Sequence, residues 1–405
     1  MKKYKDRYDY VILGAGISGI TIAREILSRN KDAEVLLIEK ENEIGLHGTG
    51  RNSGVLHSGI YYPIESLKAK FCSEGSKLMK DYCYERGLPV LKCGKVILPT
   101  SNDDIHQIDI LYDRGISNGA KVFKVNREEL QEIEPEANKN PSLALFSPET
   151  SVVDPKKVVL SMFNELVNSK SVTILLSDFV VFSDPDKSLI STDKGFNFTY
   201  GHLINTTGQY ADVVSKSFGV GNEYTIIPFK GVYYGLSDKS NIKLNGLIYP
   251  VPDLNVPFLG IHSVKLVNED IYFGPTAFPA FGRENYHGLQ GISMKEASEI
   301  SFYLIKQYYK NNQGFRSYSH QESLKFLKKN FVKSIKKLIP SIDNDDLVQS
   351  NKVGIRAQLY NIPKNQLEMD FIVKTTSNTT HVLNAVSPAF TSSLSFSKYI
   401  LDLEK

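Results

Sequence analysis

Apolar and polar residues alternate along the first forty positions in the order strand, helix, strand. "YDYVILGAG" is an apolar run that ends in glycines, and "ISGITIAREILSRN" repeats apolar residues at helical spacing. "AEVLLIEK" is short and mostly apolar, which is typical of a parallel strand that is buried on both faces. This pattern predicts a compact βαβ unit.

The rest of the chain adds helices and a second kind of sheet. Helical patterns cover residues 64–87 and 294–339, and residues 226–282 are rich in Tyr, Phe, Ile, Val, Pro and Gly, which predicts a mainly antiparallel sheet. Pieces of a nucleotide-binding unit occur at the start, middle and end of the chain. We therefore expect an α/β composite fold, in which a Rossmann domain (1–85, 146–222 and 346–405) is interleaved with a β-sheet substrate domain (86–145 and 223–345).

Net charge and cysteine content limit the kinds of partner and cell compartment that we expect. The chain has 405 residues, a formal net charge of +3 and three cysteines. That charge is too small to indicate a nucleic-acid partner, and it suits a small anionic ligand. Cys72, Cys83 and Cys93 have no CxxC spacing, so we expect reduced thiols in a cytoplasmic protein and no metal site. The segment before the first strand has no apolar core, so we do not expect it to be a secretory signal, and no apolar run is long enough to span a bilayer.

One basic segment leaves contact with a membrane surface open. "LKFLKKNFVKSIKKLI" places lysines opposite an apolar stripe at helical spacing, formed by Leu324, Leu327, Phe331, Ile335 and Leu338. Such a helix either lies on the inner face of an anionic membrane or packs on the substrate domain with its lysines in solvent.

The turn after the first strand indicates a dinucleotide site. Gly14, Gly16 and Gly19 have GxGxxG spacing between a strand and a helix, and Glu39 ends the next strand. The glycines permit a tight turn and close approach to a pyrophosphate, and the carboxylate can accept hydrogen bonds from a ribose.

Three later segments favour FAD over NAD, because a flavin needs contacts far beyond its adenosine. "GTGRNSG" can follow the pyrophosphate and the ribityl chain, and "LINTTG" can cross the cofactor a second time. "NAVSPAFTSS" begins a helix whose N-terminus would stabilise the negative charge of a reduced flavin ring. The donors and turns expected from these segments are Arg51, Asn52, Ser53, Thr207, Gly208, Ser387 and Pro388.

Nearly the whole chain resembles the FAD-dependent L-2-hydroxyglutarate dehydrogenase/oxidase family, within the D-amino-acid-oxidase-like flavoproteins. The resemblance rests chiefly on "HGTGRNSGVLHSGIYYPIESLKAKFC" and "IYPVPDLNVPFLGIHS", with "CGKVIL", "GPTAFPAF", "VGIRAQ" and "HVLNAVSPAFTSSL". It implies a glutathione-reductase-like FAD domain and oxidation of an L-2-hydroxy acid by hydride transfer to flavin N5, with electrons passed to oxygen or a quinone. The cofactor residues then expected are Gly14, Gly16, Ile17, Ser18, Gly19, Glu39, Lys40, Thr49, Gly50, Arg51, Asn52, Ser53, Val180, Thr207, Gly208, Ser387, Pro388, Thr391 and Ser392.

Two histidines are candidates for the base that removes the hydroxyl proton. His57 follows the flavin loop, and His262 lies in the substrate sheet. An imidazole suits this task because its ordinary pKa lies near neutrality. Either histidine could instead be a structural residue that hydrogen-bonds the backbone.

The carboxylate of the substrate requires donors, preferably an arginine. Arg356 and Lys230 are the candidate cations, and Tyr62 and Tyr249 are the candidate hydroxyl donors. Each cation has a structural ion pair as its alternative role.

Three departures from the family pattern, at Val232, Thr276 and Phe390, leave the substrate open. L-2-hydroxyglutarate is the first candidate. The alternatives are another hydroxy acid, a glycerol 3-phosphate-like polyol phosphate, or an amino acid or amine on the same fold, and a redox-silent flavin-binding protein.

Overall fold

The computed structural model describes residues 4–101 and 104–404. Its helices are α1 Ile17–Arg29, α2 Leu67–Glu85, α3 Ile105–Ser117, α4 Arg127–Ile133, α5 Pro155–Val167, α6 Ala211–Ser217, α7 Met294–Lys310, α8 Phe315–Leu324, α9 Lys328–Lys336 and α10 Ala389–Asp402. Its strands are β1 Arg7–Leu13, β2 Val35–Glu39, β3 Val55–Leu56, β4 Val90–Lys92, β5 Lys95–Leu98, β6 Phe123–Asn126, β7 Leu143–Ser147, β8 Ser151–Val153, β9 Val172–Leu176, β10 Val180–Asp184, β11 Leu189–Thr192, β12 Asn197–Asn205, β13 Tyr224–Leu236, β14 Leu247–Pro250, β15 His262–Lys265, β16 Ile271–Gly274, β17 Phe278–Pro279, β18 Leu347–Asn361, β19 Gln366–Leu367, β20 Val373–Thr375 and β21 Thr379–Val382.

The predicted βαβ unit forms the centre of an eight-stranded sheet. Its main order is β10-β11-β12-β1-β2-β9, and β21 pairs with both β12 and β20. The pairs β1–β2, β1–β12, β2–β9 and β12–β21 are parallel. This sheet joins strands from the start, middle and end of the chain, as the mixed α/β prediction requires.

Two glycines make the turn between β1 and α1 possible. Gly14 has φ +100°, and a Cβ there would lie 2.7 Å from the Thr206 carbonyl oxygen. A Cβ at Gly19 would lie 2.0 Å from the Gly14 carbonyl oxygen. The first glycine therefore permits the left-handed turn, and the second lets helix and turn pack closely.

The second large sheet of the protein has six strands, and every strand pair in it is antiparallel. Its main order is β15-β16-β13-β18-β19, with β17 also on β13, and β13 and β18 pair along most of their length. The expected boundary at 346 assigned β18 to the nucleotide-binding domain, whereas its pairing places it in this sheet. We propose that the third Rossmann segment begins after this strand.

The apolar stripe at 324–338, for which the sequence left a membrane-facing and a packed helix open, does not form one continuous helix. α8 ends at Leu324 and α9 begins at Lys328, so two helices share the stripe. Phe331, Ile335 and Leu338 are buried in one core cluster with residues of β5, β14 and β16. For these three side chains the packed alternative holds, whereas Leu324 and Leu327 are exposed. Within residues 4–101 and 104–404, the helices all lack the combination of length and apolarity that crossing a bilayer requires.

Candidate active site

A cavity of about 730 Å³ runs between the eight-stranded and the six-stranded sheets. It begins at the carboxyl ends of β1 and β2, passes the first turn of α1, and reaches the first turn of α10. Ligands of open α/β sheets bind at the carboxyl ends of their strands, where loops can diverge. The cavity is therefore the candidate active site.

The glycine turn and Glu39 form one end of the cavity. Glu39 ends β2 and accepts hydrogen bonds from the backbone N–H groups of Ala15 (2.8 Å) and Glu41 (3.0 Å). The Ile17 N–H donates to Thr49 Oγ1 at 3.0 Å, which ties the loop after β2 to the start of α1. These contacts hold together the turn for which the sequence predicts an adenosine and pyrophosphate site, and that role stays a prediction.

The loop at 48–54 lines the cavity, but two of its side chains bond elsewhere than predicted. Arg51 donates to the carbonyls of Leu46 (2.8 Å) and Val353 (3.3 Å), and its guanidinium stacks 4.0 Å from the Tyr286 ring centroid. Asn52 donates to the Thr49 carbonyl at 2.6 Å and accepts from the Gly54 N–H at 2.7 Å. The side chains of Arg51 and Asn52 therefore stabilise the conformation of the loop. Its other polar groups remain available to bind a cofactor.

Most of the predicted cofactor residues line the cavity. Those that do are Gly14, Gly16, Ile17, Ser18, Glu39, Lys40, Thr49, Arg51, Asn52, Ser53, Val180, Thr207, Gly208, Ser387, Pro388 and Thr391. Gly19, Gly50 and Ser392 lie behind the lining. A Cβ at Gly50 would lie 2.5 Å from the Gly45 carbonyl oxygen, so this glycine closes the loop.

The first turn of α10 fixes the segment that carries His57. The His57 N–H donates to Thr391 Oγ1 at 3.2 Å, and that hydroxyl donates to the Val55 carbonyl at 3.2 Å. The Cys72 thiol donates to the His57 carbonyl at 3.3 Å. The backbone around His57 is therefore held by both α10 and α2.

Both candidate bases line the cavity. His262 Nδ1 donates to the Gly260 carbonyl at 2.8 Å, which leaves Nε2 with its lone pair. His57 Nδ1 is buried and has no hydrogen-bond partner among the described residues. The tautomer of His262 is thus fixed by the backbone, whereas that of His57 is not.

Burial keeps both imidazoles neutral. It lowers the pKa of His57 well below its ordinary value, and the charge of Lys95 acts in the same direction. Burial also lowers the pKa of His262 to about 3, against the opposing effect of the Gly260 hydrogen bond. Two neutral imidazoles at pH 7 are competent proton acceptors.

Arg356 lies deep in the protein and lines the same cavity. Its Nη1 donates to the Pro257 carbonyl at 3.2 Å, and its guanidinium is 5.1 Å from the Phe258 ring centroid. No carboxylate of the described residues forms an ion pair with it. Desolvation lowers the pKa of Arg356, so the site holds a cation that lacks a counter-charge.

Lys230 does not join Arg356. Its Nζ donates to Asn285 Oδ1 at 3.0 Å, and it is absent from the cavity lining among the described residues. In the β13–β18 register Phe229 opposes Arg356, and Lys230 opposes Ile355. Successive side chains of a strand point to opposite faces, so the lysine points away from the face that Arg356 uses.

The two predicted tyrosines occupy different positions. Tyr249 lines the cavity and stacks on His262, with ring centroids 3.8 Å apart. Tyr62 stands behind the lining, with its ring centroid 6.5 Å from that of Tyr61.

Sequence reasoning missed two buried lysines near these groups. Lys95 is 1 % exposed, and its Nζ is 4.6 Å and 5.1 Å from the ring centroids of Tyr61 and Tyr249. Lys68 is 5 % exposed and lies beside Tyr62. Both stand in stretches that carry the family resemblance, "CGKVIL" and "SLKAKFC", but neither sequence indicates that its lysine is buried.

A charged cluster spans the two halves beside the glycine turn. Lys40 pairs with Glu41 and, at 2.6 Å, with Glu284, and His47 lies 2.8 Å from Glu41. Glu41, His47 and Glu284 are close enough to hold a metal ion. The Lys40 ammonium already supplies the positive charge between the two carboxylates, so the cluster is an ion-pair network.

The cavity joins a ribose-type carboxylate and a glycine turn at one end to a helix N-terminus and two neutral histidines at the other, which fits FAD. The family described as FAD dependent oxidoreductase matches residues 9–403. The chain belongs to the FAD-dependent oxidoreductase family. FAD is therefore its cofactor, and we propose that the glycine turn, the 48–54 loop and the first turn of α10 hold it.

Curated relatives of this FAD-dependent oxidoreductase share its full length. L-2-hydroxyglutarate dehydrogenase of Indibacter alkaliphilus is 36 % identical over 96 % of both chains. The Escherichia coli K12 enzyme of the same name is 33 % identical over 97 % of this chain and 92 % of the relative. The human mitochondrial enzyme is also 33 % identical, over 98 % and 88 %.

Solved structures of more distant members share the fold of this oxidoreductase. Dithionite-reduced L-α-glycerophosphate oxidase from Mycoplasma pneumoniae, with FAD bound, has a TM-score of 0.76 at 19 % identity and covers 99 % of this chain and 95 % of that chain. Glycine oxidase from Geobacillus kaustophilus has a TM-score of 0.71 at 15 % identity, with the same coverage. These similarities concern the fold alone.

Proposed function

We propose that this oxidoreductase oxidises an L-2-hydroxy acid to the 2-oxo acid, with L-2-hydroxyglutarate as the first substrate to test. The observation that carries the proposal is Arg356, a cation without a protein counter-charge that lines the same cavity as two neutral histidines. A substrate carboxylate would supply the missing charge. The names of the full-length relatives support the choice of substrate.

In this proposal one group of residues binds the acid and another transfers a proton. Arg356 holds the carboxylate at C1, and an imidazole takes the proton of the C2 hydroxyl as the C2–H bond breaks. We assign the base to His262, because its Nε2 is left with the lone pair, and His57 is the alternative. FAD, when bound, would supply the acceptor for the hydride that leaves C2.

Anaerobic bleaching of the bound flavin tests the proposal. The panel contains L- and D-2-hydroxyglutarate, L-lactate, L-malate, glycerol 3-phosphate and L-amino acids. We expect rapid bleaching by an L-2-hydroxy acid. Bleaching by an amino acid or by glycerol 3-phosphate alone would assign the site to one of the alternative substrate classes.

Arg356→Met tests the residue that carries the proposal. We expect a loss of roughly 10- to 100-fold in kcat/KM for the best acid, because a charge-assisted hydrogen bond is lost while FAD stays bound. Lys352→Met is the matched control, since Lys352 lies on the same strand beside the Tyr233 and Tyr272 rings. Equal activity of wild type and Arg356→Met would remove Arg356 from the site.

We propose that the electrons pass to oxygen or to a membrane quinone, with the protein in the cytoplasm on the inner face of the membrane.

In support of a membrane contact, four apolar side chains of α7 are between 57 % and 86 % exposed: Met294, Phe302, Ile305 and Tyr309. Their spacing places them along one side of that helix, which the lysines Lys295 and Lys310 flank. Co-sedimentation with phosphatidylglycerol vesicles, lost in Phe302→Ser/Ile305→Ser, is the expected result, and equal binding by wild type and variant would contradict it.

A further inference from the structure

The turn between α8 and α9 exposes three large apolar side chains, which we call the apolar tip. Leu324, Phe326 and Leu327 are 60 %, 74 % and 66 % exposed. Single exposed apolar residues are common on protein surfaces, but several that stand together mark a surface that another phase or partner covers. The apolar tip is therefore a candidate contact surface.

Hydrogen bonds hold the turn in the conformation that exposes these side chains. The N–H groups of Phe326 and Leu327 donate to the carbonyls of Ser323 (3.2 Å) and Leu324 (3.3 Å). The side chain of Asn330 also donates to the Leu324 carbonyl, at 2.9 Å. Because the turn is already ordered, the apolar tip can bind a surface without the entropic cost of ordering a loop.

α9 continues from the apolar tip with a row of lysines on its outer face. Lys329, Lys333 and Lys337 are exposed, and residues four apart lie on the same side of a helix. The opposite, apolar face of α9 is buried in the core. Lys336 pairs with Asp343, whereas the three lysines of the row form no ion pair with the described residues. The row therefore presents positive charge that the protein itself does not neutralise.

An anionic lipid surface matches both features of this segment. Apolar side chains can enter the boundary between headgroups and acyl chains, and adjacent lysines can remain among the headgroups. Anionic lipids attract such lysines, and the attraction weakens as salt is added. A flat membrane surface can thus contact the apolar tip and the lysine row together.

We propose that the apolar tip inserts into an anionic membrane surface while Lys329, Lys333 and Lys337 contact the lipid headgroups. The inference rests on the membrane contact proposed above for α7, and it adds the segment that enters the lipid and the charges that guide it.

The apolar tip adjoins the wall of the active-site cavity. The Phe326 ring centroid is 4.5 Å from that of Phe278, and the preceding residue, Ala277, lines the cavity. The Ala277 N–H donates to the side chain of Glu322, in the last turn of α8, at 3.0 Å. Insertion of the apolar tip therefore brings this wall of the cavity close to the lipid surface.

The chain contains no tryptophan, so one substitution can report on the apolar tip alone. Phe326→Trp introduces a single indole, whose emission shifts to the blue when it leaves water. With the FAD-loaded protein and phosphatidylglycerol vesicles, we expect a blue shift and quenching by lipids that are brominated on their acyl chains. Phe182→Trp is the matched control, because Phe182 is 54 % exposed on β10 of the other large sheet. Its emission should not change.

Charge reversal tests the lysine row. We expect Lys329→Glu/Lys333→Glu to weaken binding to phosphatidylglycerol vesicles roughly 10- to 100-fold, and high salt to weaken wild-type binding. Lys31→Glu/Lys170→Glu makes the same change of net charge at two exposed lysines of the eight-stranded sheet, and it should have little effect.

The outcomes separate this inference from the contact proposed for α7. If wild type binds vesicles and Phe302→Ser/Ile305→Ser abolishes binding, but the Phe326→Trp emission does not shift, the contact is confined to α7 and this inference is wrong. A wild type that binds no vesicles contradicts both. Equal shifts for Phe326→Trp and Phe182→Trp, or binding that ignores the lysine row, would also overturn the inference. A blue shift that needs only a higher protein concentration would assign the apolar tip to a contact between two copies of the chain.

Discussion

The two ends of the cavity treat charge in opposite ways. Beside the glycine turn, Lys40 pairs with Glu41 and Glu284, and Tyr210 donates to Glu284 at 2.9 Å. At the other end, Arg356 and Lys95 have no carboxylate partner among the described residues. Charges that are paired within the protein stabilise its fold, whereas an unpaired charge beside the cavity can be balanced by a bound ligand. The ion-pair network and the unpaired cations thus lie at opposite ends of the cavity.

Gly16→Glu should have the largest effect, because it breaks the cofactor end alone. A Cβ at Gly16 meets only Thr49 Oγ1, at 3.1 Å, so the fold should survive while the carboxylate repels the pyrophosphate. We expect a folded, colourless protein, measured by circular dichroism and by absorbance at the flavin band. Gly16→Ala is the control and should keep some FAD. A yellow Gly16→Glu protein would refute the assignment of this turn.

Removal of a base should leave the cofactor and slow the reaction. We expect His262→Ala to lose roughly 10²–10⁴-fold in kcat/KM and His57→Ala less, with FAD retained in both. A larger defect in His57→Ala would reverse the assignment, and loss of flavin would make His57 an anchor of the cofactor loop.

The pH profile of the wild type follows from the same burial. A base with a lowered pKa becomes protonated, and therefore inactive, only when the pH falls to that lowered value. The decrease of kcat/KM on the acid side should therefore lie below pH 6. A decrease near pH 6–7, which an ordinary histidine would give, would show that neither buried imidazole controls the rate.

Lys95→Met should stabilise the protein at neutral pH. Burial lowers the pKa of Lys95 to about 8, so the folded state holds its proton less tightly than the unfolded chain does. That difference corresponds to a cost of about 3 kcal/mol below pH 8, which fades as the pH rises towards 10.5. We expect a melting temperature several degrees above wild type at pH 7, and a smaller gain at pH 10. A lower melting temperature at pH 7 would show that Lys95 has a partner.

Glu284→Gln should have the smallest effect. The Lys40–Glu284 pair is partly exposed, and such pairs contribute about 0.2–1 kcal/mol. The melting temperature should fall by a degree or two at low salt, and the difference should shrink at high salt. A loss of many degrees would mean that this cluster controls the docking of the two halves.

The sequence was sufficient for parts of the site that are local. The glycine spacing, Glu39 and the start of α10 follow from patterns within one segment, and the structure brings them to one cavity. The choice between Arg356 and Lys230 was not local, because it depends on the register of β13 against β18. Lys95 and Lys68 were missed because a lysine in an apolar stretch looks like a surface residue until its neighbours in space are known.

The residues that form the cavity walls lie far apart in the chain, so the walls are synthesised at different times. The glycine turn at 14–19 emerges from the ribosome long before Ser387 and Thr391, which line the other end of the cavity. β1 pairs with β2 on one side and with β12 on the other, so its second edge stays unpaired until residue 205 is made. An unpaired strand edge makes a partly made chain prone to aggregation. A nascent chain stalled before Ala389 lacks one wall of the cavity, so the cavity is complete only after α10 has folded.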